Sequence, residues 1–177
     1  PGQTGLIISM ASMPILFFSY LGGLLSDKIS PKLPITLGFA LIISSFFWIG
    51  MAPTLSLPTY FIALLFFGMG MPLIFTPSYS TAMSAVPKEQ MGVAFGLIAS
   101  LRMFAGTMGL SLMHLFLNVE KSQHVPIIGE RAAEILSFSR LHYVLGALTM
   151  MAFIVVFFLS RRKSAHHLPE APAEGWD

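Results

Sequence analysis

Five apolar stretches divide this 177-residue chain, near positions 5–25, 33–52, 57–77, 91–117 and 141–159, and polar links join them. Inside the five stretches the only lysine, arginine, aspartate or glutamate is Arg102. About twenty apolar residues in a helix cover a hydrocarbon core roughly 30 Å thick, so each stretch predicts a membrane-crossing helix. Strands of a transmembrane barrel would instead show segments of about ten residues with strict alternation, a pattern this sequence lacks. With no water at membrane depth, backbone N–H and C=O groups have to bond within helices. The expected fold is all-α, a polytopic membrane protein with five transmembrane helices.

Composition agrees. The chain is 55% hydrophobic and 10% charged, with a mean hydropathy of +0.77, whereas soluble domains carry about a quarter charged residues. The absence of cysteine excludes a disulfide framework and a thiolate metal site. His166 and His167 are adjacent but have no further ligands nearby in sequence, so no metal is expected. The basic residues are scattered through the links and form no stripe, which argues against nucleic acid as a partner. The expected partner is the lipid bilayer.

Lysine and arginine in short links stay on the cytoplasmic side of a membrane. Placing the link after the first span there puts Lys28, Lys32, Lys88, Arg161, Arg162 and Lys163 inside, against Lys121, Arg131 and Arg140 outside. The chain then ends in the cytoplasm of a multi-pass protein of the cell membrane. Its last residues, 161–177, are rich in charge and proline and read as a disordered tail. Between Asn118 and Arg140 runs the longest outer link, in which Gly129 to Phe138 predicts either a short interfacial helix or a disordered connector. Starting at Pro1 with no signal-like segment, the sequence reads as a fragment of something longer.

The link "GGLLSDKISPK", Gly22 to Lys32, holds more than a chain reversal requires. Glycines at 22 and 23 allow close approach of a neighbouring helix. Asp27, at a helix end, can accept hydrogen bonds from an adjacent helix or pair with a base in one conformation and release it in another; a plain positive-inside turn is the alternative. This stretch resembles the loop signature G-x-L-x-D-[RK]-x-G-[RK]-[RK] of the major facilitator superfamily. Gly23, Leu25, Asp27, Lys28 and Lys32 match, while Ser30 replaces a usual glycine and Pro31 a usual base. Farther on, "GMGMPLIFTP" and "AVPKEQMGVAFGLIASLRMFAGTMG" resemble the late helices of the fourteen-helix drug:proton antiporters of that superfamily. That likeness rests on Gly68, Gly70, Pro77, Val86-Pro87, Gly92, Ala94, Gly96, Arg102, Gly106 and Gly109. Phe95, Ala99 and Met103 depart from it.

The resemblance implies an incomplete six-helix half with one helix missing upstream, joined to the N-terminal half of the same transporter. It also implies a small hydrophobic or cationic substrate, multidrug efflux by alternating access, and a proton gradient as the energy source without any bound cofactor. Gly23, Asp27, Lys28 and Lys32 would form the gating loop.

Spacing adds its own reading. Gly92, Gly96 and Ser100 recur every fourth residue and predict one smooth stripe for helix packing, with Arg102, Gly106 and Gly109 on a neighbouring face. Arg102 stands roughly 16 Å into its helix, where an arginine costs about 2.5–3.5 kcal/mol on insertion scales. It is expected to face the bundle interior or an aqueous cavity; an arginine that bonds helix carbonyls or caps a broken helix is the alternative. Pro14, Pro72 and Pro77 can bend their spans. All eight acids, Asp27, Glu89, Glu120, Glu130, Glu134, Glu170, Glu174 and Asp177, lie in links, at span edges or in the tail, so no mid-membrane carboxylate is expected to carry protons. His114 and His142 are expected near the interface, with a proton relay as the alternative for His114. An intramembrane enzyme would need a nucleophile and base such as Ser111 and His114, but no G-x-S-G surrounds the serine. A truncated helix-bundle partner without transport is the remaining class.

Overall fold

The computed structural model describes residues 2–51 and 56–164, with side chains described for 13–51, 56–125, 127 and 129–158. Five helices follow one another: α1 (Gly2–Lys28), α2 (Lys32–Gly50), α3 (Leu57–Ser84), α4 (Met91–Ile128) and α5 (Glu130–Ser164). Among the described residues there is no strand. The fold is all-α, and α2 to α5 are each long and apolar enough to cross a membrane. The tail expected to be disordered falls partly on α5, whose helix runs through Arg161 to Ser164. Positions 165–177 lie outside the described residues.

Local chemistry explains where these helices begin and end. After α1, the N–H groups of Ile29 and Ser30 both donate to the Leu25 carbonyl, at 3.1 and 3.2 Å. Ser30 Oγ accepts the Lys32 N–H at 3.3 Å, and Pro31 sits at φ −58°, the value its ring imposes. This tight turn needs no left-handed residue, so serine serves at position 30. Helix α3 opens with a proline in its first turn, where the missing N–H has no helical partner to lose, and it continues through Pro72 and Pro77.

The polar segment after Asn118 differs from expectation. Helix α4 continues to Ile128, and Glu130 to Phe138 form the opening turns of α5, so neither a separate interfacial helix nor a disordered connector is present. Good helix formers (Ala132, Ala133, Glu134, Leu136) favour this continuation. Gly129 alone reverses the chain, with φ 82° and ψ 163°, a region essentially reserved for glycine. At 38 residues, α4 is about 57 Å long. It is therefore longer than a hydrocarbon core of roughly 30 Å is thick.

Lipid is as apolar as leucine, so helices in a membrane associate through close packing and hydrogen bonds rather than hydrophobic segregation. Helices α2 and α3 meet backbone to backbone. A Cβ at Gly38 would lie 2.7 Å from the Gly70 carbonyl oxygen, and one at Gly70 would lie 2.7 Å from the Gly38 oxygen. Nearby, buried Ser45 donates to the Ala63 carbonyl at 2.7 Å. Helix α1 approaches α3 at Gly22, where a Cβ would meet Leu73 Cα and the Pro72 oxygen at 3.4 Å. The Ser19 and Thr76 hydroxyls bond across the same interface at 3.2 Å. Helix α5 leans on α2 through Phe39 against Phe153 and Phe47 against Tyr143, with ring centroids 5.5 and 5.9 Å apart. Ser139 also donates to the Gly50 carbonyl. Helix α4 packs chiefly on α5 and meets α3 only briefly.

Gly38→Ala or Gly70→Ala forces a methyl against a carbonyl oxygen and is expected to lower stability by about 1–3 kcal/mol. Gly23→Ala, whose Cβ would sit 3.8 Å from Thr76 Cγ2, is expected to be nearly neutral; detergent-induced unfolding followed by circular dichroism checks both. Gly129→Ala should cost about 1–3 kcal/mol through backbone strain, read as earlier protease cleavage of the α4–α5 hairpin.

Candidate functional site

Helix α3 presents Phe75, Ser78, Tyr79 and Ala82 along one side, and across from them stand Ile98 and Arg102 of α4. The spacings, three and four residues on α3 and four on α4, place each set on a single helix face. Together they line a groove of about 260 Å³. The Arg102 guanidinium lies over the Phe75 ring, 5.6 Å from its centroid. Phe75 neighbours Tyr79 at 6.3 Å, and Tyr79 neighbours Phe95 of α4 at 6.1 Å. The Ser78 hydroxyl donates to the Ile74 carbonyl at 2.6 Å, which leaves its oxygen lone pairs free to accept.

Arg102 is exposed at the groove, and among the described residues it makes no ion pair. Among the described residues it bonds no helix carbonyl, and it caps no break, since α4 is continuous on both sides. A cation over an aromatic face gains about 0.5–1 kcal/mol at an exposed site, less than the roughly 2.5–3.5 kcal/mol cost of an arginine at the centre of a membrane helix. The ring alone leaves the charge undercompensated.

The other expected site residues divide into two groups. Gly68, Gly70 and Pro77 are buried in α3, and Gly23 faces Thr76; these belong to the packed part of the bundle. A Cβ at Gly92, Gly96, Gly106 or Gly109 would meet nothing within 4 Å, which differs from the packing stripe expected of Gly92 and Gly96 and leaves open space at Gly106 and Gly109 on the neighbouring face. Close packing predicted for that stripe is absent among the described residues because α4 rests on α5 with another face. Asp27 and Lys28 are exposed at the end of α1. Asp27 makes no ion pair among the described residues. Lys32 begins α2.

His114 is exposed, and the Ser111 hydroxyl donates to the Thr107 carbonyl at 3.0 Å. His142 is buried; its ring lies tilted against Phe138 at 4.5 Å and Phe46 at 6.1 Å, and its Nδ1 bonds the Phe138 carbonyl at 2.7 Å. No group of three or more metal-ligating side chains occurs among the described residues.

Sequence reasoning missed a charged cluster at the α4–α5 hairpin. Arg140 pairs with Glu120 and donates from Nη1 to His124 Nε2 at 3.3 Å. Lys121 reaches Glu130 and Glu134, both at 3.5 Å. The alternation of signs within positions 120–140 was the available signal, but pairing required knowing that the two arms run antiparallel. The groove-lining residues of α3 were missed for a similar reason: in a helix apolar all round, no periodicity marks the face that meets α4.

A family model for the Major Facilitator Superfamily matches residues 1–110. The chain belongs to the Major Facilitator Superfamily. Multidrug resistance protein Stp of Mycobacterium tuberculosis, from strains CDC 1551 / Oshkosh and ATCC 25618 / H37Rv, is 29% identical to this major facilitator chain over 113 residues, which is 64% of the chain and 21% of that relative. The aligned stretch thus spans about a fifth of the relatives' length. No solved structure matches.

In a double-mutant cycle, Glu120→Gln and Arg140→Gln are expected to show a coupling of about 1 kcal/mol, because the pair is partly exposed. The coupling should shrink between low and high salt, as measured by detergent unfolding midpoints.

Proposed function

We propose that this major facilitator chain forms one wall of the translocation path of a secondary transporter, which exports hydrophobic or cationic compounds in exchange for protons by alternating access. The observation that carries the reading is the family match over residues 1–110, and the name of the Stp relative points the substrate class toward drugs. In this reading the remainder of a longer transporter covers the open glycine face of α4, and the small residues allow helices to slide past it closely. The turn between α1 and α2 faces the cytoplasm of a cell-membrane protein, the α4–α5 hairpin faces outside, and the C-terminus is cytoplasmic. Asp27, Lys28 and Lys32 act as a gating loop that closes in another conformation.

The proton-binding group belongs to another part of the transporter. None of the eight acids of this chain falls within an apolar span centre, whereas intramembrane carboxylates are the usual proton carriers of transporters. A second reading, a helix-bundle partner without transport, draws on the same open face of α4. The enzyme reading has no such support, because Ser111 is bonded to its own helix rather than to His114.

Efflux of the neutral lipophilic dye Nile red from cells expressing the protein at its full encoded length should be halted by a protonophore. Arg102→Ala is expected to lower its initial rate about tenfold, the loss of roughly one charge-assisted contact, and Asp27→Asn is expected to lower it several-fold. Efflux left unchanged by both substitutions removes these residues from the mechanism, and absence of any efflux favours the helix-bundle partner.

A further inference from the structure

We infer that the α3–α4 groove is a subsite for the carboxylate end of a small aromatic compound, with Arg102 as its anion-binding group. The inference deepens the transporter reading and rests on it, and it narrows what this part of the wall accepts.

Charge is the first argument. Arg102 opens onto the groove with the Phe75 ring as its neighbour and no carboxylate paired to it among the described residues. Along the chain the flanking acids are Glu89 and Glu120, about 20 and 27 Å away at the helical rise per residue. Glu120 is in any case engaged by Arg140. A guanidinium held in apolar surroundings attracts an anion strongly, because little solvent screens the pair. The same charge disfavours a cationic group in this groove.

Shape and lining narrow the anion. A volume of about 260 Å³ falls just below the 300–1,000 Å³ typical of pockets for drug-sized ligands, which suits one or two fused rings. The walls are the rings of Phe75 and Tyr79 with Ala82 and Ile98, and Phe95 stands beside Tyr79. Such surfaces take a flat aromatic body by offset or edge-on contact. The planar fork of Arg102 presents paired donors suited to a carboxylate, while one face of the guanidinium stays on Phe75. The Ser78 hydrogen is committed to the Ile74 carbonyl, so the hydrogen bonds to the anion come from Arg102. An aromatic monocarboxylate therefore satisfies the charge, the size and the walls together.

The experiment compares 2-naphthoate, ionised at neutral pH, with its uncharged isostere 2-naphthamide. Both are titrated against membrane vesicles of phosphatidylcholine that contain the protein at its full encoded length, by competition with radiolabelled 2-naphthoate. The acid is expected to bind about tenfold more tightly than the amide, as a hydrogen-bonded charge pair provides. Arg102→Gln should abolish that preference, and Arg102→Lys should retain part of it. Phe75→Leu, which keeps the charge, should weaken acid and amide alike. Equal binding of acid and amide, or a preference that survives Arg102→Gln, overturns the inference. So does loss of the preference when phosphatidylglycerol is added, because the groove is then a lipid-headgroup site. Nile red efflux measured in parallel separates the two readings: efflux without acid preference removes only the subsite, and acid preference without efflux removes only the transporter.

Discussion

The contact between Gly38 and Gly70 sets where the other helices can lie. With each carbonyl oxygen 2.7 Å from the place a Cβ would occupy on the other helix, α2 and α3 are closer than two helices can come without glycine on both sides. In a bilayer such intimacy is the main source of association, because burying leucine against leucine gains little over burying it against lipid. From this pair the rest is hung. Helix α1 attaches to α3 at Gly22 and Ser19, α5 attaches to α2 through rings, and α4 attaches to α5. Since α4 is carried by α5 and α5 by α2, α4 stands at the end of the series, and a groove is left between it and α3.

The position of Arg102 follows from that arrangement and not from any partner that calls it there. An arginine half-way along a membrane helix is tolerated where protein or water receives it. Here one face of the guanidinium is received by Phe75, which offsets only part of the cost. The polar groups elsewhere are treated differently: the Ser45, Ser78, Ser111, Ser137 and Thr149 hydroxyls all donate to main-chain carbonyls, and no buried side-chain polar atom is left unpartnered among the described residues. Against that background of satisfied hydroxyls, the groove arginine is the exception that a ligand would complete.

Much of the fold could be read from the order of residues because the membrane simplifies the problem. Uncharged runs such as 33–50 have one stable backbone form in hydrocarbon, so the all-α fold class was legible. Helix ends were less so. The sequence after Asn118 is polar, and polarity there predicts the end of a helix, yet α4 and α5 continue through it and are joined by the ion pairs of Glu120, Arg140, Lys121, Glu130 and Glu134. Faces were the least legible. A soluble helix betrays its buried side by period, but α4 carries Val93, Phe95, Leu97, Leu101, Met103 and Phe104 exposed, so the glycine stripe at 92 and 96 looked like a packing surface when its neighbour is open space. Arg102 was found because charge at membrane depth is costly, whereas Phe75 and Tyr79 have nothing in the sequence to set them apart from the other aromatic residues.

The two ends of α4 are held with unequal strength, and this bears on where the bundle yields. At the hairpin end a charged cluster and the covalent turn at Gly129 tie it to α5. At its other end the short link 85–90 ties it to α3, and along the groove it meets α3 through a cation–π contact, worth about 0.5–1 kcal/mol, and one ring pair, worth roughly 0.5–1.5 kcal/mol. Opening α3 from α4 there forfeits only those terms, while parting α2 from α3 would undo a backbone contact and the buried Ser45–Ala63 hydrogen bond at once. The compliant seam of this chain is therefore the one that contains its single mid-span charge, so a group that binds Arg102 and the facing rings acts at the place where helix separation costs least.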